Sequence, residues 1–390
     1  MKKTLLALAL FGAVAGTASA ASVTLYGTVD VGFGMTSVAG DHNARYQDMS
    51  DTTFTLDSGN NSASKFGLKG VEELGNGMVV GFQLENGFSA DDGKLGNDDR
   101  LFGREARLFL QTDFGTFSFG RMGTLVSDNG TYGILADLSP MGSGWGSIIG
   151  NQNLVFASNA GRVDNAVVYE SPDLYGAKVY AQYSFKADNT AKLTDPVTGV
   201  ETAGEEGKSS ADRYAAIAAT YKVGSLGFIG AFDYTDEGVV AAGLDGVRGK
   251  DQMTFTLGAN YDCGFATTYL AAQYFKDANW VGGGLSNEDF GVELANGVSG
   301  VSYGDIDGYG IVLGTKFPVL GGTAYGMAGY MDADSDRANK EVTRWTVGGG
   351  YEYALSKRTA VYGGAAWFED TVDNTNPSVA QVVAGVKHSF

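Results

Sequence analysis

Apolar and polar side chains alternate at every second position through most of this chain. Val23, Leu25, Val29, Val31, Phe33 and Met35 are separated by Thr24, Tyr26, Thr28, Asp30 and Thr36. Val179, Ala181, Tyr183 and Phe185 alternate with Lys178, Tyr180, Gln182 and Ser184, and Trp345, Val347, Gly349, Tyr351 and Tyr353 with Arg344, Thr346 and Glu352. A period of two is the period of a strand with one apolar and one polar face. A soluble sandwich shows the same alternation in runs of about 5–6 residues. Here the runs reach about ten, the length that tilted strands need to cross a bilayer.

The connections between runs sharpen this reading. Seven are short, at 74–77, 113–115, 173–176, 223–226, 263–264, 318–322 and 355–358. Asn76-Gly77 and the other glycines there supply the positive φ of tight hairpin turns. Eight are long, near 37–62, 89–100, 122–161, 187–211, 235–251, 276–306, 332–341 and 369–378, and they are rich in Asn, Gly and acids. Short and long connections in strict alternation imply about sixteen antiparallel strands, closed so that no backbone group is left unpaired in lipid. The expected fold class is therefore all-β, a transmembrane barrel of about sixteen antiparallel strands with its third loop folded inward.

Composition agrees. The chain has 59 Gly, 46 aromatics and only 5 Pro among its 390 residues, and Gly/aromatic periodicity marks barrels. Tyr221, Tyr234, Tyr261, Tyr274, Tyr351 and Tyr353 fall near strand ends, where interfacial girdles need them. The one apolar helical run is MKKTLLALALFGAVAGTASA. It is too short to span a membrane. Lys2 and Lys3, the apolar residues 5–15 and Ala18-Ser19-Ala20 read as a secretory signal peptide, residues 1–20. The barrel domain is then 21–390. Loss of the two lysines takes the formal net charge from −18 to −20, which argues against a nucleic-acid partner. Cys263 is the single cysteine, so no intramolecular disulfide forms.

Residues 122–161 are the exception to the alternation. They contain no Lys or Arg, and Asp128 and Asp137 are their only charges. A structureless segment this long in a compact domain is usually functional. Its Leu125, Tyr132, Ile134, Leu135, Leu138, Met141, Trp145, Ile148 and Ile149 argue for packing. We read it as a loop folded into the barrel to narrow a water-filled channel.

The chain resembles the general porins of Gram-negative bacteria, of the neisserial and betaproteobacterial type. The resemblance rests on Thr24-Leu25-Tyr26-Gly27, on the run Ser64-Lys65-Phe66-Gly67-Leu68-Lys69-Gly70-Val71-Glu72-Glu73-Leu74-Gly75-Asn76-Gly77, and on Arg104-Glu105-Ala106 and Phe119-Gly120-Arg121. It continues through Arg162-Val163-Asp164-Asn165-Ala166-Val167-Val168-Tyr169-Glu170-Ser171-Pro172 to Lys387-His388-Ser389-Phe390. It implies an outer-membrane localisation, a homotrimer, and partners in outer-membrane lipid, lipopolysaccharide and the barrel assembly machinery. It also implies a pore constriction in which Lys65, Arg104 and Arg162 form a basic ladder opposite Asp137. Lys65 stands where many relatives have Arg, and Met141 where some have a second loop acid. Arg121 and Arg107 are weaker candidates, and Asp128 is a loop acid of undetermined direction. In a regular strand Arg104 and Arg107 would face opposite sides. Phe390 is expected to act as an assembly signal.

Opposed charges across a low-dielectric constriction create a focused transverse field, and with the bore they set selectivity. The implied function is passive diffusion of ions and small hydrophilic solutes. The alternatives are a substrate-specific channel or an adhesin-type barrel, and, third, an enzyme. Catalysis has little to work with: His42 and His388 are the only histidines, and Gly32-x-Gly34 lacks the third glycine of a dinucleotide loop at Ser37. Asp332-x-Asp334-x-Asp336 begins like a calcium loop but has Arg337 and Thr343 where Gly and an acid are needed. No cofactor or metal is expected. The sign of ion selectivity is left open, with a lean toward cations from the net charge against the opposing ladder.

Overall fold

The structure is a computed structural model. It describes residues 23–39, 51–145, 152–157, 161–189, 193–194, 201–202, 205–238, 250–281, 285–286, 306–335, 339–372 and 376–390. The signal-peptide expectation, residues 1–20, lies outside the described residues.

Seventeen strands form one sheet. They are β1 (Thr24–Ala39), β2 (Asp51–Ser58), β3 (Lys65–Gly75), β4 (Met78–Gly87), β5 (Glu105–Thr112), β6 (Gly115–Gly123), β7 (Arg162–Glu170), β8 (Ala177–Ser184) and β9 (Arg213–Val223). The sheet continues with β10 (Leu226–Asp236), β11 (Gln252–Asp262), β12 (Thr267–Ala278), β13 (Ile306–Val319), β14 (Gly322–Ser335), β15 (Lys340–Ala354), β16 (Thr359–Val372) and β17 (Ser378–Ser389). Every pairing is antiparallel, and β1 closes the barrel by pairing along its length with β17.

Seventeen strands make sixteen staves because β2 and β3 share one. Asp51–Ser58 pairs with Val31–Val38 of β1, and Lys65–Lys69 pairs with Thr24–Thr28 of the same strand. Residues 59–64 break the stave between them. The first long connection, read as 37–62, thus contains an eight-residue strand. All seven short turns join hairpins at the expected places.

The alternation sorts the side chains as expected. Leu108, Ile217, Leu257, Leu270, Leu313, Val347 and Val382 are exposed on the outside. Their neighbours Arg107, Ala216, Ala218, Thr256, Ala271, Val312, Thr346 and Val383 are buried inside. Outer aromatics group: Trp345 lies 4.6 Å from Tyr330, which lies 6.2 Å from Tyr309. Tyr221, Tyr261, Tyr274 and Tyr353 are exposed, as an interfacial belt requires.

Candidate functional site

One wall, from β3 to β7, gathers charge. Lys65, Arg100, Arg104, Arg107, Arg121 and Arg162 meet there. Gly67, Glu85 and Glu105 occupy one row across β3, β4 and β5, and the acids of that row hold the bases. The Arg104 Nε donates to Glu85 Oε1 at 2.7 Å, and Lys65 Nζ lies 3.9 Å from Glu85 Oε2. Arg107 Nε is 3.0 Å from Glu105 Oε1.

Arg104 and Arg107 both reach the inner acids. A regular strand would have placed them on opposite faces, but β5 begins at Glu105. Arg104 therefore precedes the strand and escapes its parity. Nor does Asp164 neutralise Arg162, although they are two residues apart. The Asp164 carboxylate accepts from Arg100 at 2.9 Å and from Arg121 at 2.7 Å, and Arg100 also reaches Asp188 at 2.6 Å. Asn165 has φ 48° and the β6–β7 register shifts between Gly120 and Met122, so simple alternation fails here too. Arg162 Nε donates to the Arg104 carbonyl at 2.9 Å. Its Nη2 is buried with no hydrogen-bond partner among the described residues. Six cations thus face four carboxylates, Glu85, Glu105, Asp164 and Asp188.

The segment between β6 and β7 leaves its own neighbours. Leu125, Val126, Tyr132, Ile134, Leu135, Leu138, Met141 and Trp145 are all buried. Thr131 Oγ1 donates to Glu105 at 2.7 Å, and the Tyr132 hydroxyl lies 2.7 Å from Ser118 Oγ, near its own strands. Farther along, a 3₁₀ turn at Ile134–Leu138 meets β11, where Asn260 Nδ2 donates to the Asp137 carbonyl at 3.0 Å. Inner glycines make these approaches possible. A Cβ on Gly258 would lie 2.5 Å from Leu138, and one on Gly350 would lie 2.5 Å from Trp145.

Trp145 is held hardest. Its φ is 61°, a left-handed conformation that costs a bulky residue on the order of 1–3 kcal/mol and persists only where the surroundings enforce it. Its ring packs 5.8 Å from Tyr325 and 5.6 Å from Tyr362, and the Trp145 backbone N–H donates to the Asn61 carbonyl at 2.7 Å. Asn61 belongs to the 59–64 break, itself fixed by Asp30 Oδ2, which accepts from the Asn61 and Ser62 amides at 3.1 and 2.6 Å. A second anchor is the short helix α1 (Gln152–Val155). Arg344 is wholly buried, forks onto Asp370 at 2.5 and 2.7 Å, and donates Nη1 to the Leu154 carbonyl at 3.0 Å.

The two loop acids part company. Asp128 lies within electrostatic reach of Arg162 and accepts from Asn153 Nδ2 at 3.0 Å. Asp137 borders two recesses on the far side of the turn, lined by residues from β7 to β17. Phe390 closes the barrel seam, with backbone bonds to and from Gly27 at 3.0 and 3.2 Å. Arg100, Glu85, Glu105 and the Arg344–Asp370 pair were not singled out from the sequence. Strand parity alone could have found Glu85 and Glu105. The rest are long-range partners with no local signal.

A model of the Gram-negative porin family matches residues 4–373. An outer membrane porin protein of Bordetella pertussis is 30% identical over 416 residues that cover 100% of both chains. The major outer membrane protein P.IB of Neisseria meningitidis is 30% identical over 192 residues, 49% of this chain and 52% of that one. An anion-selective porin from Comamonas acidovorans superposes with a TM-score of 0.64 at 24% identity, covering 95% of this chain and 100% of that one.

Proposed function

The chain belongs to the family of Gram-negative porins, passive channels of the outer membrane, and on that premise we propose which of its parts set bore and ion preference. The segment at 122–161 folds inward and narrows the lumen. Lys65, Arg104 and Arg162, with Arg100 and Arg121 behind them, form the cationic side of the constriction. Asp128 is the acid facing Arg162, and Asp137 lies on the opposite flank of the same turn.

The observation that carries the reading is the surplus of six bases over the four acids of the wall and Asp128 of the segment, six against five, with Arg162 Nη2 left unpaired among the described residues. A net positive constriction in low-dielectric walls favours anions. The overall charge of −18 acts from farther away, where salt screens it. This reverses the lean drawn from net charge, and the anion-selective porin of similar fold supports it. Family and fold suit a channel with no enzymatic step.

The same proposal includes a homotrimer in contact with outer-membrane lipid and lipopolysaccharide. It is supported by the exposed Leu25, Phe33, Met35, Phe54 and Leu56 on the outer face of β1 and β2, which must meet lipid or another copy. Phe390, at the seam, would be presented to the barrel assembly machinery.

The test is a planar-bilayer recording under a salt gradient. Current steps in groups of three and a reversal potential on the anion side are expected. Arg104→Ser and Arg162→Ser should each move that potential toward cations. An unchanged potential in both variants removes the ladder, and no steady current in the wild type turns the segment into a plug.

A further inference from the structure

Asp137 and Lys316 are oppositely charged, border one recess of about 540 Å³, and neither charged group has an ion-pair or hydrogen-bond partner among the described residues. The Asp137 contact is through its main-chain carbonyl, to Asn260. The Lys316 ammonium sits 5.6 Å from the centre of the Tyr269 ring. The recess's other ion pair is already closed, Lys387 Nζ lying 2.6 Å from Glu352 Oε2. Its apolar wall is Met141 and Trp145 of the long segment. It lies toward the short-turn ends of the strands, the periplasmic side in barrels of this build.

We propose that this recess is a binding subsite for zwitterionic solutes of dipeptide length, with the solute ammonium at Asp137 and its carboxylate at Lys316. The proposal rests on the channel reading and adds a solute class to it. The recess carries one free charge of each sign, unlike the cationic wall on the other side of the segment. A plain anion gains Lys316 but meets Asp137, and a plain cation meets the reverse. Only a solute carrying both charges satisfies both groups.

The spacing selects the length. Asn260, whose side chain holds the Asp137 carbonyl, pairs with Tyr269 across β11 and β12, and the Lys316 ammonium sits 5.6 Å from that tyrosine's ring. With adjacent strands about 4.8 Å apart, one strand spacing plus the ring contact puts the two charges on the order of 10 Å apart, the length of a short solute plus an ion contact at each end. Two extended residues span about 7 Å. The site is also preorganised, which lowers the entropy lost on binding. Ile134 and Leu135 donate their amides to the carbonyls of Leu125 and Ser127 at 3.2 and 2.9 Å, and Leu138 is buried against β11. The backbone of Asp137 is therefore fixed before any solute arrives.

The experiment is a single-channel recording in 0.1 M KCl with added glycylglycine. N-acetylglycylglycine, a pure anion, and glycylglycinamide, a pure cation, are added separately. Glycylglycine should interrupt the current at lower concentration than either derivative. Asp137→Asn and Lys316→Gln should each weaken its block about threefold, the scale of one partly solvated charge pair. Open-channel current in each variant shows that the barrel has assembled. Equal block by all three compounds, or loss on substituting Lys222, which lines the second recess beside Asp137, with glutamine (Lys222→Gln) but not on Lys316→Gln, overturns the subsite while leaving the channel intact. Absence of ionic current in the wild type overturns the channel reading itself.

Discussion

The buried Arg344–Asp370 pair allows the anchor of the long segment to be separated from the stability of the barrel. Arg344→Leu leaves the Asp370 carboxylate, 2% exposed, inside with its fork removed. Breaking a buried pair on one side costs about 3–5 kcal/mol, and replacing both partners by apolar residues is often neutral or better. The double variant R344L/D370L should therefore recover most of the stability lost by R344L. It cannot recover the bond from Arg344 Nη1 to the Leu154 carbonyl, 3.0 Å long. A hydrogen bond to a charged group contributes about 1.5–3 kcal/mol, so release of α1 from the wall should rise roughly 10- to 150-fold. Denaturant unfolding followed by tryptophan fluorescence reads the first quantity. Current noise in single channels reads the second. The double variant should show a near wild-type unfolding midpoint and a noisy pore. A double variant as unstable as R344L would show that the stranded charge is not the cause, and a quiet pore would show that the Leu154 contact does not hold the segment.

Three further outcomes follow from the same geometry. Deleting residues 131–143 removes the turn that bears on β11 and should raise single-channel conductance; an unchanged current would refute the constriction. Gly350→Leu drives a side chain into Trp145, and overpacking of this kind costs about 1–3 kcal/mol, readable as a lowered unfolding midpoint. Burial, followed by the neighbouring Asp212 and Asp251 carboxylates, pushes Glu237 in the loop after β10 up to about 7 from its ordinary 4.5. Its folded value lies above its unfolded one, so the stabilisation is complete below about pH 4.5 and is lost as pH rises through about 7. Protection from hydrogen exchange around Gln252 and Asn279, which bond Glu237, taken relative to the free-peptide rate at each pH, should fall between about pH 4.5 and 7, and Glu237→Gln should abolish that fall.

Most of the barrel was legible because its rules are local. Alternation assigns faces, Gly and Asn place tight turns, and bilayer thickness sets strand length. Each of these depends on residues within a few positions of one another. Where the chain departs from a regular strand the rules mislead. Arg104 and Arg107 would face opposite sides of a regular strand, but β5 begins only at Glu105. Simple alternation would set Asp164 beside Arg162, but the register of β6 and β7 is shifted between Gly120 and Met122. Both departures lie where β5, β6 and β7 meet the long segment, and bulges are most frequent at such functional rims.

The loop acids failed to be legible for a different reason. An irregular segment has no period, so nothing local to Asp128 or Asp137 says which wall each meets. What decides is docking, and its signal is spread over strands distant in sequence. Gly258 on β11 accepts Leu138, and Gly350 on β15 accepts Trp145, because a Cβ at either place would fill the space. Read alone, each glycine is a weak point in a strand. Read together with the apolar residues at 125–145, the inner glycines are the other half of a packing surface. Once Leu138 is seated on β11, Asp137 beside it must border the recess that reaches Lys316, and Asp128, closer to β7, is left for Arg162. The division of labour between the two acids follows from where the apolar residues of the segment find room.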